Sequence, residues 1–465
     1  MKKVLILGCG AREHVIGETL LRSGHASRQA SAGLGNGVEL FVLGPAKNPG
    51  LAGLATEYEV ASVTNFDAVR EFVKKIEPDF VVPGPEAPIA AGVVDALAEL
   101  GVPCVAPIQS LARLESSKSF TRDLLKKYNI PGNPQFRVFE RGDENELEAY
   151  MAQTLGGQFV VKADGLKSGK GVKVVGDHLK DVAEGVVYAR ECIAESTATA
   201  GQAGRVVVEE KFVGQEFSLM SFVDGETVVD MVPVQDHKRA FENDEGPNTG
   251  GMGTYSDANH LLPFLTSRDL EEAHAITVQV AKALRTETGV PYRGVMYGGF
   301  IAVKDGVRLI EYNARFGDPE AMNVLCLLRT DFVSVCEAMV RGELKGMTVE
   351  FEKKATVCKY VVPNGYPEAG VKGEKIELGE VPTTKAGAAE GLRVYYGSVD
   401  QREDGLYLGG SRAVALVGIG ETLEAAEKLA EVAASGVKGP VFHRKDIGTA
   451  TLIAKKVEMM KRLRV

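Results

Sequence analysis

Cysteine is scarce and unpatterned in this chain. Cys9, Cys104, Cys192, Cys326, Cys336 and Cys358 are scattered through 465 residues without a C-x-x-C pair. That spacing offers neither a zinc cluster nor a disulfide framework, so the six read as reduced core thiols. Long apolar runs are lacking too. The run after Met1-Lys2-Lys3 breaks at Gly8, too early for a signal-peptide core and far short of the ~20 residues of a membrane span. No membrane partner and a cytoplasmic location are therefore expected. Basic charge is in deficit: 54 Lys and Arg face 63 Asp and Glu, for a net charge of −9. A protein that grips a nucleic-acid backbone needs a basic face, so no nucleic-acid partner is expected and a small-molecule enzyme is favoured.

What is present fits a multidomain globular protein. The length is about three times the ~150-residue domain prior. Hydrophobic residues make up 45% and charged residues 25%, too apolar for a disordered chain. The 53 glycines against 19 prolines suit an α/β protein that holds phosphates in loops.

Apolar runs at Val4–Leu7, Leu40–Leu43, Phe80–Val82 and Pro103–Ala106 alternate with helical patterns at Glu13–Ser23, Phe66–Ile76 and Ala90–Leu100, the rhythm of βαβ units in a parallel sheet. Residues Gly24–Gly37 interrupt it and read as a flexible insertion. A helix near Ser116–Tyr128 leads to paired strands at Phe159–Lys162 and Val172–Val175. Arg205–Glu210, Phe217–Val223 and Thr227–Val234 then suggest one antiparallel sheet, followed by a long loop through Tyr255 and a helix at Ser267–Thr288. Strands at Gly294–Val303 and Val307–Tyr312 follow. Short β-like runs at Thr356–Val361, Leu392–Val399 and Ala413–Ile419, with a helix at Leu423–Ala434, form a last module. No tandem repeat is visible.

Several segments offer chemistry. Gly8-Cys9-Gly10 after a strand could aim backbone amides at a phosphate. The third glycine of a dinucleotide fingerprint is replaced by Glu13, and no acidic residue closes the second strand, so NAD is disfavoured. Lys162-Ala-Asp-Gly-Leu-Lys-Ser-Gly-Lys-Gly171 combines a strand-end lysine with Gly165, Gly169 and Gly171, offering cations and free amides to a polyphosphate. Glu209 and Glu210 end an apolar strand, with Glu216 beyond, an edge that could meet adenine and ribose hydroxyls. Glu311 and Asn313 lie two apart, so in a strand both face one side, where two hard oxygens can hold a divalent cation. Arg315 could reach an anion beside it. Gln235–Arg239 and Gly246–Gly253 share one glycine-rich, charged loop; His237 within it reads as structural. Each segment alone also fits a solvated loop or strand end.

Taken in this order, and with Pro83-Gly-Pro-Glu-Ala-Pro88 and Ser117-Lys-Ser-Phe-Thr121, these segments resemble the ATP-grasp ligases, and within them the phosphoribosylamine–glycine ligase family. The resemblance implies an α/β chain with an ATP-grasp fold, an N-terminal Rossmann-like parallel-sheet domain and a small C-terminal mixed α/β domain. The implied divisions are 1–115, 116–204 (a lid), 205–345 and 346–465. It also implies an ATP-dependent ligation of glycine to 5-phosphoribosylamine in purine biosynthesis, by a monomer, with Mg²⁺ or Mn²⁺. Another ATP-grasp carboxylate–amine ligase is the alternative.

Carried onto these positions, the resemblance gives Lys118 and Lys162 to the ATP phosphates, with Gly165, Ser168, Gly169 and Gly171 in a flap over them. Glu209, Glu210, Lys211 and Phe212 would receive adenine, the Lys211 stem covering it, and Glu216 would hold the ribose. Glu311 and Asn313 become metal ligands. Arg315, Asp236 and Lys238 become catalytic. Gly8, Gly10, Arg12, Glu86, Asn248, Thr249, Gly250 and Asp318 would bind the substrates.

Overall fold

Strands β1 (Lys2–Leu7), β2 (Val38–Gly44), β3 (Glu57–Val60) and β4 (Phe80–Pro83) pair in parallel in the order β3-β2-β1-β4. A parallel sheet is covered on both faces, so its central strands carry unbroken apolar runs. Val4 and Ile6 point into one core and Leu5 and Leu7 into another. The helix Ala11–Ala30 supplies Val15, Ile16 and Leu20 to the first; the helix Phe66–Ile76, capped by Asn65, supplies Val69, Phe72, Val73 and Ile76 to the second. The structure is a computed structural model that describes residues 1–30, 37–167, 171–200, 204–379 and 391–465, with side chains except at 23–30 and 196–200.

Three expectations change here and one strand is new. The expected insertion loses its first residues to the helix, whose backbone runs on to Ala30; positions 31–36 lie outside the described residues. Pro103–Ala106 makes a single bridge, Val81 to Cys104, rather than a strand. The helix expected over Ala90–Leu100 is broken at Gly92, whose φ of 96° ends Glu86–Ala91 and starts Val93–Ala98. The short edge strand β3, half exposed, had no apolar run to announce it.

The helix Lys118–Lys127, capped by Ser117, leads into β5 (Phe136–Glu140), β6 (Phe159–Ala163), β7 (Val172–Val174) and β8 (Arg205–Glu210). These form an antiparallel sheet in the order β5-β8-β6-β7 with its own apolar core. The single sheet expected from Arg205 to Val234 is thus two. Because β8 pairs with both β5 and β6, a division at 204/205 would cut through this sheet. Alternation marks a strand and its buried face but not its neighbour.

Strands β9 (Gln215–Val223), β10 (Val228–Asp230), β11 (Gln235–Asp236), β12 (Arg239–Phe241), β13 (Glu245–Asn248), β14 (Gly253–Ser256), β15 (Gly294–Val303) and β16 (Gly306–Asn313) follow. The order β10-β9-β15-β16 builds a second antiparallel sheet. The helix Ser267–Thr288 packs on it, opened by a Thr266–Asp269 capping box, two otherwise orphaned donors being satisfied at once. The expected long loop through Tyr255 holds two antiparallel pairs, β11 with β14 and β12 with β13. Strand β14 also pairs with β17 (Ala355–Pro363), which continues into Val414–Gly420 and Leu392–Tyr396. The C-terminal sheet therefore takes its first two strands from the Gln235–Ser256 segment, and one apolar core runs from Val4 through Phe222 and Tyr255 to Val357 and Tyr395.

Candidate active site

The strand β16 aims the central groups. Its register with β15 sets Glu311 opposite Gly299 and Asn313 opposite Tyr297, and Tyr312 between them is buried in the core. Glu311 and Asn313 therefore share the face that lines a cleft of about 690 Å³ with Lys118, Lys162, Gly165, Gly171, Glu86 and Arg315. A second, smaller cavity is lined by Glu216, Asp236 and Lys238 and also by Ile310 and Glu311. Ile310 and Glu311 form the wall common to both. Burial raises the pKa of Glu311, but Lys238, Lys118, Lys162 and Arg315 outweigh burial and hold the carboxylate below its usual range. An ionised carboxylate beside an amide oxygen is a donor set that fits a hard divalent cation. Among the described residues no group of three or more His, Cys, Asp or Glu converges as a metal cluster.

Lys162, on β6, is buried, and its ammonium donates to the Ile310 carbonyl at 2.9 Å and pairs with Glu209. Desolvation is the larger influence and lowers its pKa despite Glu209. Burial raises the pKa of Glu209 in turn, yet Arg122 and Lys162 override it, so the carboxylate stays ionised more readily than usual. Lys118 Nζ donates to the Gly165 carbonyl at 2.9 Å, at the entrance to the loop over the cleft. The Asp164 side chain accepts from Ser119 Oγ at 2.5 Å and from the Ser119 amide at 3.3 Å, tying that loop to the start of the helix Lys118–Lys127. Ser168 and Gly169 lie outside the described residues.

Arg315 sits between two carboxylates. Its Nη2 donates to Asn313 Oδ1 at 3.2 Å and lies 2.9 Å from Glu115 Oε1, and its Nε is 3.7 Å from Glu86. That Nε is buried without a hydrogen-bond partner among the described residues, a donor still open to an anion. Glu115 went unnoticed in the sequence. It also accepts the Ala314 amide at 2.7 Å and so holds both the backbone just before Arg315 and its guanidinium; burial raises its pKa. Across the wall, burial lowers the pKa of Lys238, but Glu311, Glu216, Asp236 and Glu320 reverse that and raise it. Burial and Glu320 push Asp236 well above the usual carboxylate range.

Other expected residues are placed differently. Gly8 and Gly10 do not line the cleft: the Gly10 amide, expected to face a phosphate, donates to Glu13 Oε2 at 2.5 Å. Glu13 folds back onto its own helix start, where a carboxylate is favoured by the helix dipole. Arg12 donates to Glu13 at 2.7 Å and to the Phe316 carbonyl at 3.2 Å. Glu210, Lys211 and Phe212 do not line either cavity; the Lys211 amide donates to Gln158, and its ammonium to the Val175 carbonyl at 2.7 Å. The Lys211 charge thus caps a neighbouring loop of the lid sheet. Asn248 sits opposite Arg239 in the β12–β13 pair. Thr249 hydrogen-bonds to the Lys238 carbonyl through both its amide and its hydroxyl, fixing the Lys238 backbone. Gly250 and Asp318 face the C-terminal module: Arg412 donates to the Gly250 carbonyl at 2.7 Å, and Asp318 accepts from Tyr360 at 2.6 Å. His237 is buried with Nδ1 3.2 Å from the Gly253 carbonyl, and burial lowers its pKa to about 3.

Comparison with known proteins agrees along the whole length. Residues 2–115, 116–321 and 356–450 match the N domain, the ATP-grasp (A) domain and the C domain of phosphoribosylglycinamide synthetase. The phosphoribosylamine–glycine ligase of Methanocaldococcus jannaschii is 47% identical over 464 residues, 99% of this chain and 100% of that protein. That of Pyrococcus furiosus is 45% identical over 464 residues, 100% of this chain and 98% of its own. The crystal structure of the Thermotoga maritima phosphoribosylamine–glycine ligase superposes with a TM-score of 0.76 at 28% identity, covering 96% of this chain and 99% of that one. The biotin carboxylase domain of a Hydrogenobacter thermophilus 2-oxoglutarate carboxylase shares the fold, with a TM-score of 0.70 at 16% identity over 99% of this chain and 94% of its own. Full-length identity at this level, with all three domains in order, places the chain in the phosphoribosylamine–glycine ligase family of ATP-grasp enzymes.

Proposed function

We propose that this chain joins glycine to 5-phosphoribosylamine, converting ATP to ADP and phosphate and passing through glycyl phosphate. The observation that carries the reading is the cleft itself, in which Lys118, Lys162, Glu311, Asn313 and Arg315 converge, inside a chain 47% identical to a phosphoribosylamine–glycine ligase.

A carboxylate is a poor acylating agent. Its oxygen first attacks the γ-phosphorus of ATP, the bond to the β–γ bridging oxygen breaks, and ADP leaves. The amine nitrogen of phosphoribosylamine then attacks the carbonyl carbon, phosphate departs, and the nitrogen loses a proton. The first step calls for positioning and charge neutralisation rather than a covalent side-chain nucleophile. Lys118 and Lys162 would hold the phosphate chain, and the open Nε–H of Arg315 would take an oxygen of glycine or of the acyl phosphate. Glu311 and Asn313 would hold Mg²⁺ or Mn²⁺, which would supply positive charge to offset that of the phosphates. Lys238, kept protonated by the surrounding carboxylates, would add a cation on the other side of Glu311. Glu86, at the edge of the same cleft, would face the amine. Glycyl phosphate hydrolyses readily, so the loop from Gly165 to Gly171 would close over it.

ADP formation that requires ATP, glycine, phosphoribosylamine and Mg²⁺ together tests the reading, and its absence from folded protein overturns it. Substituting other amino acids and amines in the same assay reports a different ligase. Glu311→Ala and Asn313→Ala should each cut turnover at least about a hundredfold while thermal unfolding stays near that of the parent, as expected for groups that act on the transition state.

A further inference from the structure

Antiparallel register between β15 and β16 slips at one point. Gly299 faces Glu311 and Phe300 faces Leu309, leaving Ile310 without an opposite residue. Such a bulge turns a backbone group out of the ladder and re-aims the neighbouring side chain. Here the freed Ile310 carbonyl accepts from Arg122 Nη2 at 2.7 Å and from Lys162 Nζ at 2.9 Å. Arg122 also donates from Nη1 to the Leu309 carbonyl at 3.1 Å. Its remaining donors fork onto Glu209, Nε to Oε2 at 2.7 Å and Nη2 to Oε1 at 3.1 Å, and the same carboxylate pairs with Lys162. The Arg122 side chain is 3% exposed.

We propose that Arg122 is a positioning residue that sets the phosphate lysine and the metal carboxylate together. The inference rests on the reading of Lys162 and Glu311 given above. One planar guanidinium pins three things: the end of β8 through Glu209, the ammonium of Lys162 through that same carboxylate, and the bulge immediately before Glu311. Its fixed fork suits this in a way a point charge does not. A buried carboxylate, two cations and two carbonyls form a closed network, in which loss of one member leaves the others desolvated and unpaired. Arg122 is among the residues that line the cleft, but each of its guanidinium nitrogens already donates to Glu209, Leu309 or Ile310, so it acts through Lys162 and Glu311 and its loss moves ATP and metal use while leaving the amino-acid and amine ends alone.

Steady-state kinetics of the full-length enzyme with Arg122→Met and Arg122→Lys test this. Arg122→Met is expected to lower kcat about tenfold or more, and to raise both the KM for ATP and the Mg²⁺ concentration for half-maximal rate about threefold or more. The KM values for glycine and phosphoribosylamine should stay within about twofold of the parent. Arg122→Lys keeps one charge on Glu209 without the fork; it should recover most of the ATP KM and less of the Mg²⁺ requirement. Unchanged kcat, ATP KM and Mg²⁺ requirement in Arg122→Met overturn the proposal. So does an equal rise in all three substrate KM values, the mark of a loosened fold. If Arg122→Met does not fold, Glu209→Gln, which keeps size and weakens the fork, is expected to shift the same two constants in the same direction; unchanged constants there overturn the proposal. If the parent makes no ADP, the functional reading has failed, and calorimetric MgADP binding to the same variants then decides the positioning role by a weakening of threefold or more, or none.

Discussion

The lid sheet and the C-terminal sheet join the rest of the molecule by opposite means. The lid, β5 to β8, encloses its own core around Phe139, Leu147, Met151, Phe159 and Val206. Its attachments near the cleft are polar: the Arg122–Glu209–Lys162 cluster, Lys118 on Gly165, and Ser119 on Asp164. The C-terminal sheet continues β14 and β17 directly, and its Val357, Tyr360 and Tyr395 belong to the same apolar core as Val4 and Phe222. A joint made of polar groups can exchange its partners for water or substrate when it opens, whereas an apolar joint exposes surface at about 25 cal/mol per Å². The difference predicts that the lid sheet opens as a separate unit while the C-terminal sheet stays docked.

The strongest way to break this contrast is to damage each core and ask how far the damage spreads. Tyr255 on β14 is fully buried, and its hydroxyl donates to Gln235 Oε1 at 2.7 Å. Tyr255→Ala should cost about 3–5 kcal/mol, and because the core is shared, urea unfolding should shift for the N-terminal and C-terminal parts alike. Leu147→Ala in the lid should cost about 2–4 kcal/mol of local stability. Hydrogen exchange should then speed up across residues 136–163 and 205–210 while the amides of β1, β9 and β17 keep their protection. Equal loss of protection in both regions would show that the lid does not open as a separate unit.

That separation was only half legible in the sequence. The spacing of Glu311 and Asn313 fixed their shared face, because a strand's period is two whatever its neighbours. The apolar runs of β1, β2 and β4 announced a buried parallel sheet for the same local reason. What stayed hidden was long-range. Nothing near Arg205 says that β8 pairs with β5 and β6 rather than β9. Arg122 meets Glu209 and the Ile310 carbonyl across 87 and 188 positions of chain, and Glu115 meets Arg315 only once two domains dock. At the glycine turn the Gly10 amide is taken by Glu13, three residues on, an outcome decided by rotamer rather than by composition.

The joint between the N-terminal and C-terminal parts should also be sensitive to acid. The His14 ring stacks on Tyr396 at 5.8 Å and accepts the Tyr396 amide at Nδ1. It occupies space that a Cβ on Gly50 would fill. Burial pushes its pKa down to about 4, from the ordinary 6.5. The unfolded chain therefore binds this proton more readily than the folded one. Stability from this site is full above pH ~6.5 and is lost as pH falls toward 4. Between pH 8 and pH 5 the loss is about 2 kcal/mol. His14→Gln keeps an acceptor for Tyr396 and removes the titration, so its urea midpoint should fall less over that interval than the parent's. Parallel curves would show that His14 does not control the joint; His237, also depressed by burial, is unchanged in both proteins and drops out of the difference.

The smallest expected effect probes the same joint without charge. Asn48 caps the helix Pro49–Leu54, its Oδ1 accepting from the Gly50 and Leu51 amides, while its Nδ2 donates to the Cys9 carbonyl at 2.9 Å and the Tyr396 carbonyl at 2.7 Å. One side chain thus starts a helix, closes the first glycine turn and reaches the C-terminal sheet. Loss of a cap alone costs about 1 kcal/mol. Asn48→Asp retains the cap oxygen and replaces the donor by an acceptor facing two carbonyls, so the two roles separate: Asn48→Ala should lose about 1–2 kcal/mol, and Asn48→Asp at neutral pH at least as much. If the joint rather than the cap dominates, Asn48→Asp is the worse of the two and its deficit shrinks as the pH drops and the carboxyl regains a proton to donate. If Asn48→Asp is instead as stable as the parent, the contact with Tyr396 contributes nothing, and the apolar core alone holds the C-terminal sheet in place.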